Sequence, residues 1–194
     1  MLNVLTIGWN TIEGFVAIGA GVVAGSVSLI GFGLDSAIEV SAAAALAWRL
    51  ARERRTDCRE DDDRLAQRLV AASFAALAVY VAVGASSSLI GGHAPDTSVA
   101  GVVLAAVSLA VMPVIARAKR RVAPVLGSRA AAAEATQTDL CTALSAALLV
   151  GLGLNLLYGW WWADPVAGLV IAVLAGYSAV TTWRAPSLAH TCCS

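Results

Sequence analysis

Six long apolar stretches, separated by short polar or charged ones, dominate the hydrophobic pattern of this 194-residue chain. Each is close to the ~20 residues that an α-helix needs to cross ~30 Å of hydrocarbon. The stretches cover residues 9–24, 28–48, 65–90, 98–116, 130–157 and 164–183. The pattern predicts an all-α, polytopic membrane protein, a six-transmembrane-helix bundle forming a single domain over residues 1–194.

The composition supports this class and excludes several functions. Hydrophobic residues make up 59% of the chain and charged residues 13%, whereas soluble domains have roughly 45–50% apolar and about 25% charged residues. The net charge of +0 gives no reason to expect nucleic acid as a partner. Since no GxxxxGK[ST] motif occurs, we expect neither ATP drive in this chain nor enzymatic activity.

The basic residues predict the orientation in the bilayer. All 13 lysines and arginines lie within 49–68, within 117–129 or at Arg184. The positive-inside rule then places both termini and both charged loops on the cytoplasmic side of the membrane. We expect this membrane to be the cell (plasma or inner) membrane. The tryptophans of 160–162 fit an outer aromatic belt, and Asp164 and Pro165 fit the N-cap and first residue of the last helix.

The second apolar stretch carries the clearest chemistry, because Asp35 and Glu39 lie one helical turn apart on one face. A lone charge at the bilayer centre costs about 3 kcal/mol on insertion scales. No basic residue occurs within 28–48, so a bound cation or protons must offset two adjacent carboxylates. The alternative is a pair of protonated acids hydrogen-bonded to neighbouring helices.

The fifth stretch offers further candidate ligands. Glu134, Thr138 and Cys141 share a helix face, and Gln137 and Cys141 form their own i, i+4 pair, while Asp139 faces elsewhere. A thiolate among them favours zinc over magnesium or calcium. The alternative is that these side chains make polar contacts between helices.

Two other places carry candidate chemistry. Glu13 of the first stretch could line an access path or be a helix N-terminal acid stabilised by the macrodipole, and both interpretations stay open. His190, Cys192 and Cys193 could hold a metal ion transiently, but a flexible tail is the simpler interpretation.

The sequences GFGLDSAIEV and LYGWWWADPVAGLVIA, together with six spans, resemble the transmembrane domain of the cation diffusion facilitators. The resemblance implies that Asp35 and Glu39, with two residues of the fifth helix, bind one divalent transition-metal ion, usually zinc. It further implies exchange of the metal ion for protons, a homodimer and no cofactor beyond the transported ions.

The chain departs from the family pattern in three ways. The cytoplasmic metal-binding domain after the sixth helix and the histidine-rich loop before the fifth are absent, as in short membrane-only relatives. The fifth helix also lacks the usual His/Asp–xxx–Asp pair. Alignment from the tryptophan turn, counting back along the fifth helix, places the family's metal-binding pair at Gln137 and Cys141. Alignment that matches an acidic residue places the pair at Glu134 and Thr138.

The expected function is therefore efflux of a divalent transition-metal cation, Zn²⁺ being favoured, by proton antiport. A non-transporting metal-binding or regulatory membrane protein and an organic-cation exporter are the alternatives. We expect the homodimer to form within the bilayer through small-residue faces of the third and sixth helices. These faces comprise Ala72, Ala76 and Val79 on one helix and Ala167, Ile171 and Ala175 on the other.

Overall fold

The computed structural model describes residues 2–53, 60–122 and 129–184, with side chains for 4–44, 67–121 and 137–184. This part of the chain forms six α-helices and no strand, which confirms the all-α prediction. The helices are α1 (Leu2–Ala24), α2 (Val27–Glu53), α3 (Glu60–Gly91), α4 (Val99–Val122), α5 (Arg129–Tyr158) and α6 (Ala163–Arg184). All six are long and apolar enough to cross a membrane, so the protein is a multi-pass membrane protein.

Several helices extend beyond the predicted apolar stretches. α1 begins at Leu2 rather than near residue 9, and α4 continues through its basic residues to Val122. Hydropathy marks the part of a helix that lies in hydrocarbon, whereas the backbone hydrogen-bond ladder continues wherever water can solvate charged side chains. The apolar pattern therefore located the membrane spans but underestimated the lengths of the helices.

α2 is the central helix, because it packs against α1, α3, α5 and α6. Glycines allow a close approach between α1 and α2. A Cβ atom added to Gly33 would lie 2.7 Å from Ile18 Cγ1, and one added to Gly21 would lie 2.7 Å from Ile30 Cγ1. Such close packing through small residues is typical of membrane helices, and it holds the polar face of α2 inside the bundle.

The three short connections, α1–α2, α3–α4 and α5–α6, meet at one end of the bundle, here called the short-loop end. The backbone N–H of Asp96 donates to the carbonyl of Ala24 over 2.8 Å, and Asn155 Nδ2 donates to the carbonyl of Pro95 over 3.2 Å. Trp160 and Trp162 of the third connection stack with ring centroids 5.3 Å apart. This end corresponds to the predicted outer side of the membrane.

Asp164 does not cap the last helix, contrary to the prediction. α6 begins one residue earlier, at Ala163, and the Asp164 side chain is buried in its first turn. Its Oδ1 accepts hydrogen bonds from Ser26 Oγ over 3.0 Å and from Ser28 Oγ. The carboxylate therefore ties α6 to the start of α2 rather than satisfying its own helix terminus.

The predicted dimerisation face on α6 is also wrong. Ala167, Ile171 and Ala175 are all buried inside the single chain, where α6 packs extensively against α3. The corresponding positions on α3, Ala72, Ala76 and Val79, are exposed. Spacing alone could not tell a face buried within the bundle from one turned outward, because both favour small residues.

Candidate metal centre

Asp35 and Glu39 lie on the buried face of α2, with 4% and 3% of their surfaces exposed. Two features of the local sequence put them there. Gly31 and Gly33 bring the preceding turn close to α3 and α1, and the small residues that follow keep α2 narrow. The predicted pair of carboxylates is thus enclosed by protein rather than turned towards lipid.

Three helices converge on the Glu39 carboxylate. Thr138 Oγ1 of α5 donates to its Oε1 over 2.9 Å, and Asn10 Nδ2 of α1 donates to its Oε2 over 2.7 Å. The Cys141 side chain lies near the same carboxylate and carries a free, buried thiol. Glu39 is therefore the point where α1, α2 and α5 meet.

The face of α5 that meets Glu39 combines one residue from each predicted pair. Thr138 and Cys141 are both fully buried and lie three residues apart, so they point to the same side. Gln137 is half-buried, and the Glu134 side chain lies outside the described residues. Asp139 faces elsewhere, as expected, and forms a 2.7 Å salt bridge with Arg120 nearer the surface.

Lys119 of α4 belongs to this centre, although the sequence interpretation grouped it with the charged loop. Its side chain is only 6% exposed, and Nζ donates to Thr138 Oγ1 over 3.2 Å. The signal was present in the spacing, because Met112, Ile115 and Ala116 precede it on one buried helical face. The Thr138 hydroxyl group therefore links the Lys119 ammonium group to the Glu39 carboxylate.

Glu13 is fully buried in the middle of α1. Its Oε2 accepts a 3.0 Å hydrogen bond from Ser36 Oγ, on the same turn of α2 as Asp35. A position so far from the helix start excludes the macrodipole interpretation, since that effect is confined to the first turn. The remaining interpretation, a carboxylate that lines an access path, stays a prediction.

No three His, Cys, Asp or Glu side chains of the described residues stand close enough together to hold a metal ion. Glu39 is instead hydrogen-bonded to the neutral groups of Thr138 and Asn10. Metal binding at this centre requires Asp35, Glu39 and Cys141 to converge more closely than they do. The candidate ligands His190, Cys192 and Cys193 of the C-terminal segment lie outside the described residues.

Comparison with known proteins agrees with this geometry. The family described as the cation efflux transmembrane domain matches residues 4–185, from α1 to the end of α6. The chain belongs to this family. The assignment confirms the resemblance noted from the α2 and α5–α6 sequences and makes the protein a membrane cation transporter. A search of curated proteins gave no match.

Proposed function

We propose that this cation efflux protein exports a divalent transition-metal ion, with zinc preferred, from the cytoplasm across the cell membrane in exchange for protons. The observation that carries the proposal is the Glu39 centre. A buried carboxylate is surrounded by side chains of α1, α2 and α5, with a second carboxylate, Asp35, one turn away. Intramembrane carboxylates of this kind mark ion pathways.

The donor chemistry supports zinc. Asp35 and Glu39 supply charge and oxygen, Thr138 a hydroxyl group and Cys141 a sulfur atom, which is a donor that zinc accepts and that magnesium and calcium avoid. We take these four residues as the ligand set. Glu134 and Gln137 are the alternatives on α5, where each would replace one of the two α5 ligands.

Proton exchange follows from the same carboxylates. A metal ion needs deprotonated ligands, so protons and metal compete for Asp35 and Glu39. Protonation on the outer side would release the metal, and protons carried inward would leave when cytoplasmic metal binds again. The central position of α2 suits alternating access, in which groups of helices rock around a fixed site.

The test is metal transport by the purified protein in sealed vesicles, with and without a pH gradient. We expect zinc uptake that accelerates when the lumen is acidic. Asp35→Asn should lower transport by roughly 100-fold or more, since even outer-shell partners of a metal contribute 10–100-fold to affinity. Glu39→Gln should behave alike, and the double variant should be little worse, because the two residues act as a unit.

Asp139→Asn is the matched control, because Asp139 is an α5 aspartate paired with Arg120 outside this centre. It should transport at the normal rate. Zinc binding without uptake in any gradient would identify a non-transporting metal-binding protein, and gradient-driven movement of an organic cation would identify the other alternative. Normal transport by Asp35→Asn would remove the site assignment.

A homodimer remains our proposal for the assembly, with its contact shifted to α3. Ala72, Ala76 and Val79 are exposed there, whereas the α6 positions are buried. Single cysteines at the three α3 positions, in a background without native cysteines, should cross-link in native membranes. Ala167→Cys on α6 should not, and it serves as the buried control. If none of the three α3 cysteine variants cross-links to a dimer, this contact is excluded.

A further inference from the structure

The charged end of α4 carries two arginines on its outward face. Arg117 and Arg121 are both exposed and lie one helical turn apart, so their side chains project from the same side of the helix. The same face bears an exposed apolar stripe along the membrane span of α4, formed by Val103, Val107 and Val114. Since exposed valines within a span contact lipid, the two arginines also face the surrounding lipid.

The two arginines lie at the depth where hydrocarbon gives way to lipid headgroups. The membrane span of α4 begins at Val99. At about 1.5 Å per residue, Arg117 lies ~27 Å and Arg121 ~33 Å along the helix axis. The hydrocarbon core is about 30 Å thick, so the pair straddles its boundary at the end of the bundle that is predicted to be cytoplasmic. Long arginine side chains at such a position extend towards the lipid phosphates.

The neighbouring charges of α4 have partners or a buried position, whereas these two do not. Arg120 forms a salt bridge with Asp139, and Lys119 is buried on the opposite side of α4, inside the bundle. Neither Arg117 nor Arg121 pairs with an acidic side chain of the described residues. Because like charges one turn apart repel each other, an anion bound between them would stabilise this turn.

A phosphate group fits this pair, because the planar guanidinium group can donate two parallel hydrogen bonds to phosphate oxygens. No acidic residue occurs within 117–129 to repel it. We propose that Arg117 and Arg121 bind the phosphate of one anionic phospholipid in the leaflet at this end of the bundle. Basic residues directly beyond a membrane helix attract anionic lipids, and the valine stripe gives the acyl chains an apolar surface. The proposal does not depend on the proposed transport function, because the metal centre lies on the other side of α4.

The test is native mass spectrometry of the purified full chain, titrated in detergent micelles with phosphatidylglycerol and phosphatidylcholine of identical acyl chains. We expect the tightest lipid-binding step to prefer phosphatidylglycerol. A basic residue near the membrane surface contributes about fivefold to the affinity for an anionic lipid, so Arg117→Gln and Arg121→Gln should each weaken that step by about this factor. The double variant should weaken it by roughly 25-fold, the product of the two effects.

Arg184→Gln is the matched control, because Arg184 is exposed at the same end of the bundle but on α6. It removes the same charge and should leave the affinity unchanged. An equal loss in Arg184→Gln and Arg117→Gln would indicate general attraction by surface charge, and an unchanged affinity in the double variant would place the lipid elsewhere. Displacement of phosphatidylglycerol by inorganic phosphate at constant ionic strength would assign the pair to a soluble anion. Each of these three results would overturn the lipid site.

Discussion

Two groups of buried acids in this bundle differ in how fully they are hydrogen-bonded. At the short-loop end, Asp164 is 1% exposed and accepts from the hydroxyl groups of Ser26 and Ser28. Ser26 Oγ in turn accepts the N–H of Leu29 over 3.1 Å. Among the described side chains, no fully buried polar atom of this Asp164 network is left without a partner.

The acids deeper in the bundle are equally buried but less satisfied. Glu39 accepts hydrogen bonds from Asn10 and Thr138 and Glu13 accepts one from Ser36, whereas Asp35 accepts none from the described side chains. Burial therefore does not distinguish a structural carboxylate from a binding one. The difference lies in how many hydrogen bonds the protein itself provides to each carboxylate.

The largest expected effect on stability tests the structural role of Asp164. Asp164→Ala leaves the hydroxyl groups of Ser26 and Ser28 without their acceptor, so the free energy of unfolding should fall by about 2 kcal/mol. The matched change Asp35→Ala should cost less, because the described structure gives that carboxylate few donors to lose. Denaturant unfolding in mixed micelles measures both. Equal losses would erase the distinction between the two groups of acids.

A smaller effect tests the buried cation beside the metal centre. Lys119→Met removes a positive charge that lies one hydroxyl group away from Glu39. Because like charges repel at close range in a partly buried site, zinc affinity should rise by about tenfold. Lys119→Arg keeps the charge and is the control. Isothermal titration would contradict this role if Lys119→Met bound zinc more weakly than the control.

An effect of similar size concerns selectivity. Cys141→Ser replaces sulfur by oxygen at a fully buried position beside Glu39. The preference for zinc and cadmium over manganese should fall by about tenfold, since hard ions favour oxygen ligands. Glu134→Gln should then have a mild effect. Competition between the metals in the vesicle assay measures the ratio, and the opposite ranking of the two variants would select Glu134 and Thr138 as the α5 pair.

The sequence by itself determined the membrane class, the six spans and the face that carries Asp35 and Glu39. These features depend on properties of a single helix. A run of apolar residues must lie in hydrocarbon because its transfer from water is favourable, and the i, i+4 spacing places side chains on one face in any helix. The family motif GFGLDSAIEV is likewise a property of one helix. The family match over residues 4–185 confirms the resemblance that this motif indicated.

Only the tertiary structure decided which helices meet. Packing brought Thr138 and Cys141, from two competing predicted pairs, to the same carboxylate. It turned Lys119 inward while its neighbour Arg120 paired with Asp139 near the surface. It also buried the α6 face that spacing had suggested for a dimer. Contacts between helices depend on the shapes and rotations of both partners, and no periodicity within one helix contains that information.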